Sequence, residues 1–141
     1  MKIVKTIGIV AVLVILAGVI LFGMIQLIPY GRDHTNPRVV QEPNWDAQTR
    51  AIAQKACFDC HSNETIWPWY SNIAPVSWVI QNDVEEGRHH LNFSEWGRWE
   101  SNEIGEVVAE DEMPPDQYIL MHPEAKLTNA EIKALIEAFG Y

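Results

Sequence analysis

The only two cysteines in this 141-residue chain, Cys57 and Cys60, stand three residues apart, and His61 follows the second one directly. On one helical turn, side chains with this spacing project from the same side, so both sulfurs could reach a single bound group. The imidazole beside them is a common metal ligand. Four kinds of chemistry use such a pattern: covalent attachment of a haem, a structural metal site, a redox-active dithiol and a short disulfide.

The rest of the sequence favours haem attachment. A structural zinc site usually has four Cys or His ligands, and the chain has no second pair of cysteines. A thioredoxin-like dithiol is expected near a βαβ pattern, which is lacking, and so short a disulfide loop would stabilise little. The pattern C-x-x-C-H places two sulfurs at the vinyl groups of one haem and the histidine at its iron. We therefore predict one covalent haem c, with Cys57 and Cys60 as thioether sites and His61 as proximal ligand.

A second axial ligand is predicted at Met113. It begins a Met-Pro-Pro sequence, in which Pro114 and Pro115 keep the chain extended and without N–H donors. Methionine sulfur is soft and suits haem iron, and Met/His ligation raises the reduction potential relative to His/His. The alternatives are an open iron or ligation by another downstream side chain: Met121, His89, His90 or His122.

An aromatic cluster follows the motif at once and includes Trp67, Trp69 and Tyr70. Such rings could line a haem pocket, donate hydrogen bonds to a propionate or exclude water. Ordinary core packing is the alternative, and the two overlap because a haem is part of the core in a small haem protein.

An apolar run of 22 residues without charge, residues 7–28, precedes the motif. About 20 apolar residues span a bilayer as a helix, whereas the apolar core of a cleaved signal peptide has only about 7–15. No A-x-A-like cleavage site follows the run. We therefore predict a single uncleaved transmembrane anchor. The basic residues on its two sides are nearly balanced, and c-type attachment, which bacteria perform outside the cytoplasmic membrane, favours a soluble domain on the periplasmic side.

Residues 29–141 contain eight basic and nineteen acidic residues, a formal net charge of −11. This charge argues against nucleic acid and against docking on anionic lipid headgroups, and it suits a partner with a basic surface. It also serves solubility.

The predicted organisation is an anchor at 1–28, an irregular linker at 29–44 that is rich in proline, and an all-α domain at 45–141. One helix is capped by Asp46 and runs to about Cys57, and a second runs from Pro75 to about His89. A third is predicted from a capping box at Asn92 to about Glu110. A fourth follows the Thr128–Glu131 capping box and stops at Gly140. The predicted inward residues of these helices are Ile52, Ala53 and Ala56; Val76, Val79, Ile80 and Val84; Trp96, Trp99, Ile104, Val107 and Val108; and Ile132, Leu135, Ile136 and Phe139.

The sequence also resembles the haem-binding domain family of small exported bacterial proteins. The resemblance rests on ACFDCHSNETIWPWYSNIAPVSWVIQNDVEEGRHHLNFSEW, EMPP and HPEAKLTNAEIKALI, and covers about residues 43–139. It implies a small cytochrome c-like fold, thioether links at Cys57 and Cys60, His61 as proximal ligand and Met113 as distal ligand. Asp116 departs from the aromatic residue expected after Met-Pro-Pro, which could open the haem edge slightly.

The expected function is that of a membrane-anchored monohaem c-type cytochrome, an electron carrier rather than an enzyme, passing single electrons to a redox partner on the periplasmic side. The alternative is a haem-based sensor or small-ligand-binding module whose sixth ligand is labile or absent. A peroxidase fits less well, because the sequence shows no distal acid–base pair.

Overall fold

The computed structural model describes residues 2–97 and 103–139, with side chains from Lys5 onward. Within these ranges the chain forms α-helices and two short 3₁₀ helices, at Trp69–Asn72 and Pro123–Ala125, and no strand. The α-helices are α1 (Lys2–Ile25), α2 (Ala47–Ala56), α3 (Phe58–His61), α4 (Val76–His90), α5 (Ile104–Ala109), α6 (Asp116–Met121) and α7 (Asn129–Phe139). The all-α prediction is confirmed for the described residues. Two compact units are formed, one by residues 1–34 and 68–82 and the other by 35–67 and 83–141.

In the first unit, α1 is an apolar helix whose segment Lys5–Ile25 is long and apolar enough to cross a membrane. Its side chains lie exposed from Lys5 to Met24, and Ile25 is half-buried. The predicted apolar helix is therefore present, although its regular part ends at Ile25 and residues 26 and 27 form a turn. The same unit contains the 3₁₀ helix at Trp69–Asn72 and the first turns of α4.

The core of the second unit is built by α2, α5 and α7 with the residues around Phe58 and Phe93. Its buried apolar residues are Ile52, Ala53, Phe58, Phe93, Ile104, Val108 and Leu135. Trp45 packs against this cluster, with its ring centroid 5.9 Å from that of Phe58 and 5.3 Å from that of Phe93. Since Phe58 lies between the two cysteines in sequence, its burial fixes their turn to the core.

The predictions for the first and last helices of this unit are confirmed. The carboxylate of Asp46 accepts hydrogen bonds from the backbone N–H groups of Gln48 (2.7 Å) and Thr49 (3.0 Å), which caps α2. At α7 the predicted capping box is formed. The Glu131 carboxylate accepts from Thr128 N at 2.8 Å, and Thr128 Oγ1 accepts from Glu131 N at 3.3 Å.

The prediction of a helix from Asn92 to about Glu110 is wrong in its first part. Residues 92–97 are not helical, with turns at 93–94 and 96–97 and an isolated bridge between Glu95 and Gln41, and α5 covers only Ile104–Ala109. The side chain of Asn92 accepts a hydrogen bond from Ser94 N at 2.9 Å, so it closes a local turn instead of capping a helix. Gly97 then has a positive φ of 92°, which does not continue a right-handed helix. Trp99 and the predicted stop at Gly140 lie outside the described residues.

The predicted helix from Pro75 is present as α4, and of its predicted inward residues Val84 is buried and Ile80 is half-buried, whereas the prediction is wrong for Val76 and Val79. Val76 and Val79 are exposed, and the buried positions are Ser77, Gln81, Val84 and Gly87. The small residues Ser77 and Gly87 determine which face of α4 packs inward. A Cβ at Gly31 would lie 2.6 Å from the carbonyl of Ser77, so only glycine lets the chain after α1 approach α4 so closely.

Residues 35–44 are irregular, as predicted, and are hydrogen-bonded within the second unit. The backbone N–H groups of Val40 and Gln41 both donate to Ser94 O, at 2.8 and 3.1 Å. The boundaries between anchor, linker and domain stay predictions.

Candidate functional site

The residues Cys57 to His61 form a single helical turn that follows α2 directly. The backbone N–H groups of Cys60 and His61 both donate to Cys57 O, at 3.2 and 2.8 Å. Phe58 is buried in the core, whereas Cys57, Cys60 and His61 keep part of their surface open. The structure therefore brings together the three residues that the motif predicts to act together, on a turn whose buried member holds it in place.

Cys57 and Cys60 are not joined by a disulfide. Burial raises the pKa of the Cys57 thiol to about 12, and the proximity of Cys60 adds to the effect. Burial also raises the pKa of Cys60 to about 12, with Asp83 and Asp59 contributing and Arg88 opposing. Catalytic dithiols and thiolate nucleophiles have lowered pKa values, so these shifts argue against the dithiol alternative. Among the described residues, no group of three or more His, Cys, Asp or Glu side chains is arranged to hold a metal ion.

The imidazole of His61 is held by a backbone carbonyl. Its Nδ1 lies 3.0 Å from Leu91 O, and because a carbonyl oxygen only accepts, Nδ1 carries the proton. The Nε2 atom of the neutral ring is then left with the lone pair that binds a metal, which is the arrangement found for most ligating histidines. Burial lowers the pKa of His61, which keeps the ring neutral. The donor set of two thiols and one oriented imidazole fits a covalently attached haem.

A cluster of buried polar residues stabilises the loop that contains the Leu91 carbonyl. The N–H of Asn63 donates to Ser94 Oγ at 2.9 Å, and Asn92 Nδ2 donates to Asn63 Oδ1 at 2.9 Å. The N–H of Phe93 donates to His61 O at 2.8 Å. This cluster was not predicted from the sequence. Its signal is the pair of short polar sequences that follow His61 and Leu91.

Asp59, between the two cysteines, anchors α6. Its Oδ2 accepts a hydrogen bond from the Tyr118 hydroxyl at 2.7 Å, and its Oδ1 accepts from Ile66 N at 2.9 Å. The Tyr118 ring stacks on His122 with 4.5 Å between centroids. Burial raises the pKa of Tyr118, and the bond to Asp59 raises it further, so the hydroxyl keeps its proton.

Arg88 and Gly87 bring α4 against the cysteine turn. The Arg88 guanidinium donates to Ser62 O (2.7 Å) and Thr65 Oγ1 (2.9 Å), and also to Thr35 O (2.9 Å) and Asn36 Oδ1 (3.0 Å). All four acceptors are neutral. A Cβ at Gly87 would lie 2.5 Å from Cys60 O, so this contact requires glycine.

The predicted distal ligand, Met113, lies in the loop between α5 and α6. Its N–H donates to Val107 O at 3.1 Å, and its side chain is 37 % exposed. Among the alternatives, Met121 is exposed at the end of α6, and His89 and His90 are exposed at the end of α4. His122, half-buried, packs on Tyr118. The assignment of the sixth ligand stays a prediction.

The three aromatic residues predicted to line the cofactor are divided between the two units. Trp67 belongs to the second unit, where its Nε1 donates to Asn36 Oδ1 at 3.2 Å. Trp69 and Tyr70 belong to the first unit, with their rings edge to face and 5.7 Å between centroids. Their role at a haem stays a prediction.

The haem-binding domain family matches residues 20–140, which is most of the chain and includes the cysteine turn, Arg88 and Met113. No curated protein and no solved structure matches the chain. The match agrees with the resemblance seen in the sequence and with the fit of the donor set to a haem. The chain therefore belongs to the haem-binding domain family.

Proposed function

We propose that the chain is a membrane-anchored monohaem c-type cytochrome that carries single electrons on the periplasmic side of the cytoplasmic membrane. The family supports haem binding, and the residues Cys57 to His61 supply what covalent attachment needs. Each thiol would add across one vinyl group, so that a carbon–sulfur bond forms and the thiol hydrogen passes to the neighbouring vinyl carbon. When bound, the haem supplies an iron that changes its charge by one electron.

The observation that carries the proposal is the hydrogen bond between His61 Nδ1 and Leu91 O. It fixes the tautomer and the ring orientation and leaves Nε2 with the lone pair that the proposed proximal ligand needs. A ring held in this way is oriented by the chain itself, and a carrier whose ligand is already held in place needs little rearrangement on reduction. Met113 is the candidate for the opposite position.

The proposed location rests on α1 and on the chemistry of attachment. The segment Lys5–Ile25 is apolar enough to span a bilayer, and cytochromes c are completed outside the cytoplasmic membrane in bacteria. A formal charge of −11 on residues 29–141 would steer a redox partner with a basic surface, and this association would weaken as salt rises.

The test is spectroscopic and electrochemical, on the full-length chain expressed with haem-maturation machinery. We expect a low-spin reduced spectrum, a reversible one-electron titration and no binding of carbon monoxide, and we expect the chain to remain in membranes washed with alkaline carbonate. A high-spin ferric spectrum with rapid binding of carbon monoxide would contradict electron transfer by a closed haem.

A second candidate, a haem-based sensor or small-ligand-binding module, is favoured by the exposure of Met113. A methionine whose side chain is partly in water could leave the iron and admit a ligand. A Met113→Ala variant separates the two. If Met113 is a stable ligand, the variant gains carbon monoxide binding that the wild type lacks, whereas equal binding by both proteins supports the sensor.

A further inference from the structure

An uncharged segment of the chain is attached to the end of the apolar helix α1. Residues 65–82 contain no Asp, Glu, Lys, Arg or His, although residues 29–141 as a whole carry a formal charge of −11. The part of this segment from Pro68 to Asn82 belongs to the same compact unit as α1. It contains two tryptophans and a tyrosine: Trp69, Tyr70 and Trp78.

Gln26, the first residue after α1, makes the attachment. Its Nε2 donates to Ala74 O at 2.8 Å, and its Oε1 accepts from Ala74 N at 3.0 Å. Arg32 Nη2 donates to the same Oε1 at 3.1 Å. One side-chain amide thus satisfies both backbone groups of Ala74 and ties the residues beside it to the end of the span.

Two further contacts hold the same pair of segments together. His34 Nε2 lies 3.0 Å from Ser71 O, and the backbone at Gly31 approaches the carbonyl of Ser77 so closely that a Cβ would lie 2.6 Å away. Residues 71–77 are therefore fixed at three points to the nine residues that follow α1. Their distance from the end of the span is set by the fold of this unit.

The helix length places this attachment at the level of the lipid headgroups. The 21 residues Lys5–Ile25 make a helix roughly 32 Å long at about 1.5 Å per residue, which matches a hydrocarbon core of about 30 Å. Gln26 then lies at the edge of the hydrocarbon. Ala74, bonded directly to its side chain, lies within the interfacial layer, which adds about 5–7 Å on each side of the core.

The side chains beside Ala74 are apolar and open to the surroundings. Trp69 is 77 % exposed and Val79 is 58 % exposed, and Ile73 and Val76 are exposed as well. Val76 and Val79 are three residues apart and share one side of the first turn of α4. Exposure of such an apolar surface to water is unfavourable, whereas tryptophan and aliphatic side chains are common where the lipid headgroups meet the hydrocarbon.

We propose that Trp69, Ile73, Val76 and Val79 form a lipid-contacting patch that enters the bilayer interface beside α1. The patch rests on the proposed membrane anchoring. The first unit would then attach to the membrane in two ways, through α1 across the bilayer and through the patch at its surface. The patch would limit how far this unit can tilt against the bilayer or move away from it. For Trp69 this competes with the sequence-based prediction that it lines the haem.

Site-specific photo-crosslinking in the full-length holoprotein, reconstituted in phospholipid vesicles, tests the patch. A benzophenone amino acid replaces Trp69 in one variant and Val79 in another, so that the second retains the test if the first disturbs haem binding. Leu120, which is 79 % exposed and belongs to the second unit, is the matched control. Carbonate extraction and the haem spectrum are measured on each sample.

We expect phospholipid adducts on the peptides carrying positions 69 and 79 in clear excess of the background labelling measured at the exposed position 120. A chain that resists carbonate extraction but yields no lipid adduct at 69 and 79, or only adducts with protein, overturns the patch and leaves the proposed function standing. Equal labelling at 120 also overturns it. Release by carbonate overturns both anchor and patch, and lipid adducts on a chain without covalent haem support the patch while refuting the cytochrome.

Discussion

The Nδ1 atom of His61 donates a hydrogen bond to the carbonyl oxygen of Leu91, 3.0 Å away, and the N–H of Phe93 donates back to His61 O at 2.8 Å. Two hydrogen bonds, both made by His61, thus join the cysteine turn to the loop after α4. The Nε2 atom keeps its lone pair, and the orientation of the ring depends on backbone groups 30 and 32 positions further along the chain.

Replacing Gly87 by alanine is expected to destabilise the cysteine turn. The new Cβ would lie 2.5 Å from Cys60 O, so α4 or the turn must move, at a cost of about 1–3 kcal/mol in the free energy of unfolding. Urea unfolding of the holoprotein in detergent measures this. Glu86→Ala on the neighbouring exposed position is the control, with an expected change below about 0.5 kcal/mol. Equal stability of the two variants would show that the close approach is not required.

Sequence reasoning succeeded where the signals are local. The caps at Asp46 and Thr128 lie within a few residues of the N–H groups they satisfy, so α2 and α7 could be read directly. The inward face of α4 could not be predicted in this way, because it depends on the contact between Gly87 and Cys60, which are 27 positions apart in the sequence. Asn92 likewise looked like a cap and instead serves a turn and a bond to Asn63.

The same division applies to the site. The spacing of Cys57, Cys60 and His61 is visible in the sequence, whereas the groups that orient them come from distant segments. Leu91 contributes a backbone carbonyl, which no residue type reveals. Tyr118 and Arg88 are recognisable only once α6 and α4 are placed against the cysteine turn.

Tyr118→Phe is expected to loosen α6 from the cysteine turn. The variant removes a hydrogen bond of 2.7 Å to the Asp59 carboxylate, which contributes about 1.5–3 kcal/mol to stability as a bond to a charged group. The neighbouring Leu120→Ala, at a side chain open to solvent, is the control. Thermal unfolding followed by circular dichroism compares the two, and a Tyr118→Phe variant as stable as Leu120→Ala would refute the role of the bond.

Stability is expected to fall in acid through Glu131. The hydrogen bond from Lys55, followed by those from Thr128, lowers the pKa of Glu131 from an ordinary value near 4.5 to about 2. A carboxylate whose folded-state pKa is lowered stabilises the fold above the unfolded-state value, and this contribution is lost as pH falls from 4.5 towards 2.

Glu131→Gln should remove that part of the pH dependence. Since the Lys55–Glu131 pair is half-buried and still open to water on one side, the loss at neutral pH should be only about 0.5–1.5 kcal/mol, which includes the weakened cap. Urea unfolding at several pH values between neutral and acid measures the difference. Glu137→Gln, at the exposed pair with Lys133, should leave the curve unchanged. If the free energy of unfolding of Glu131→Gln depends on pH in the same way as that of the wild type, the assignment of the acid sensitivity to Glu131 is contradicted.

Arg88→Gln is expected to lower the reduction potential of the holoprotein. The guanidinium is bonded to neutral acceptors and its charge acts on Cys60, a proposed attachment site. A fixed positive charge there favours the reduced state, so its removal should shift the potential down by about tens of millivolts at an effective dielectric constant of about 20. Arg88→Lys keeps the charge and should retain most of the potential. Spectroelectrochemical titration at fixed pH and salt measures the reduction potential of each variant. An unchanged potential in Arg88→Gln would contradict the electrostatic role of Arg88.

The most direct measurement is the pyridine haemochrome of the unfolded full-length chain, after expression with haem-maturation machinery and extraction with acidified organic solvent. The account predicts that haem stays with the polypeptide and gives the spectrum of a haem whose two vinyl groups are saturated. A Cys57→Ser/Cys60→Ser variant should release it. Haem that leaves the wild-type chain in the solvent, or a chain that retains none, would contradict covalent attachment at Cys57 and Cys60.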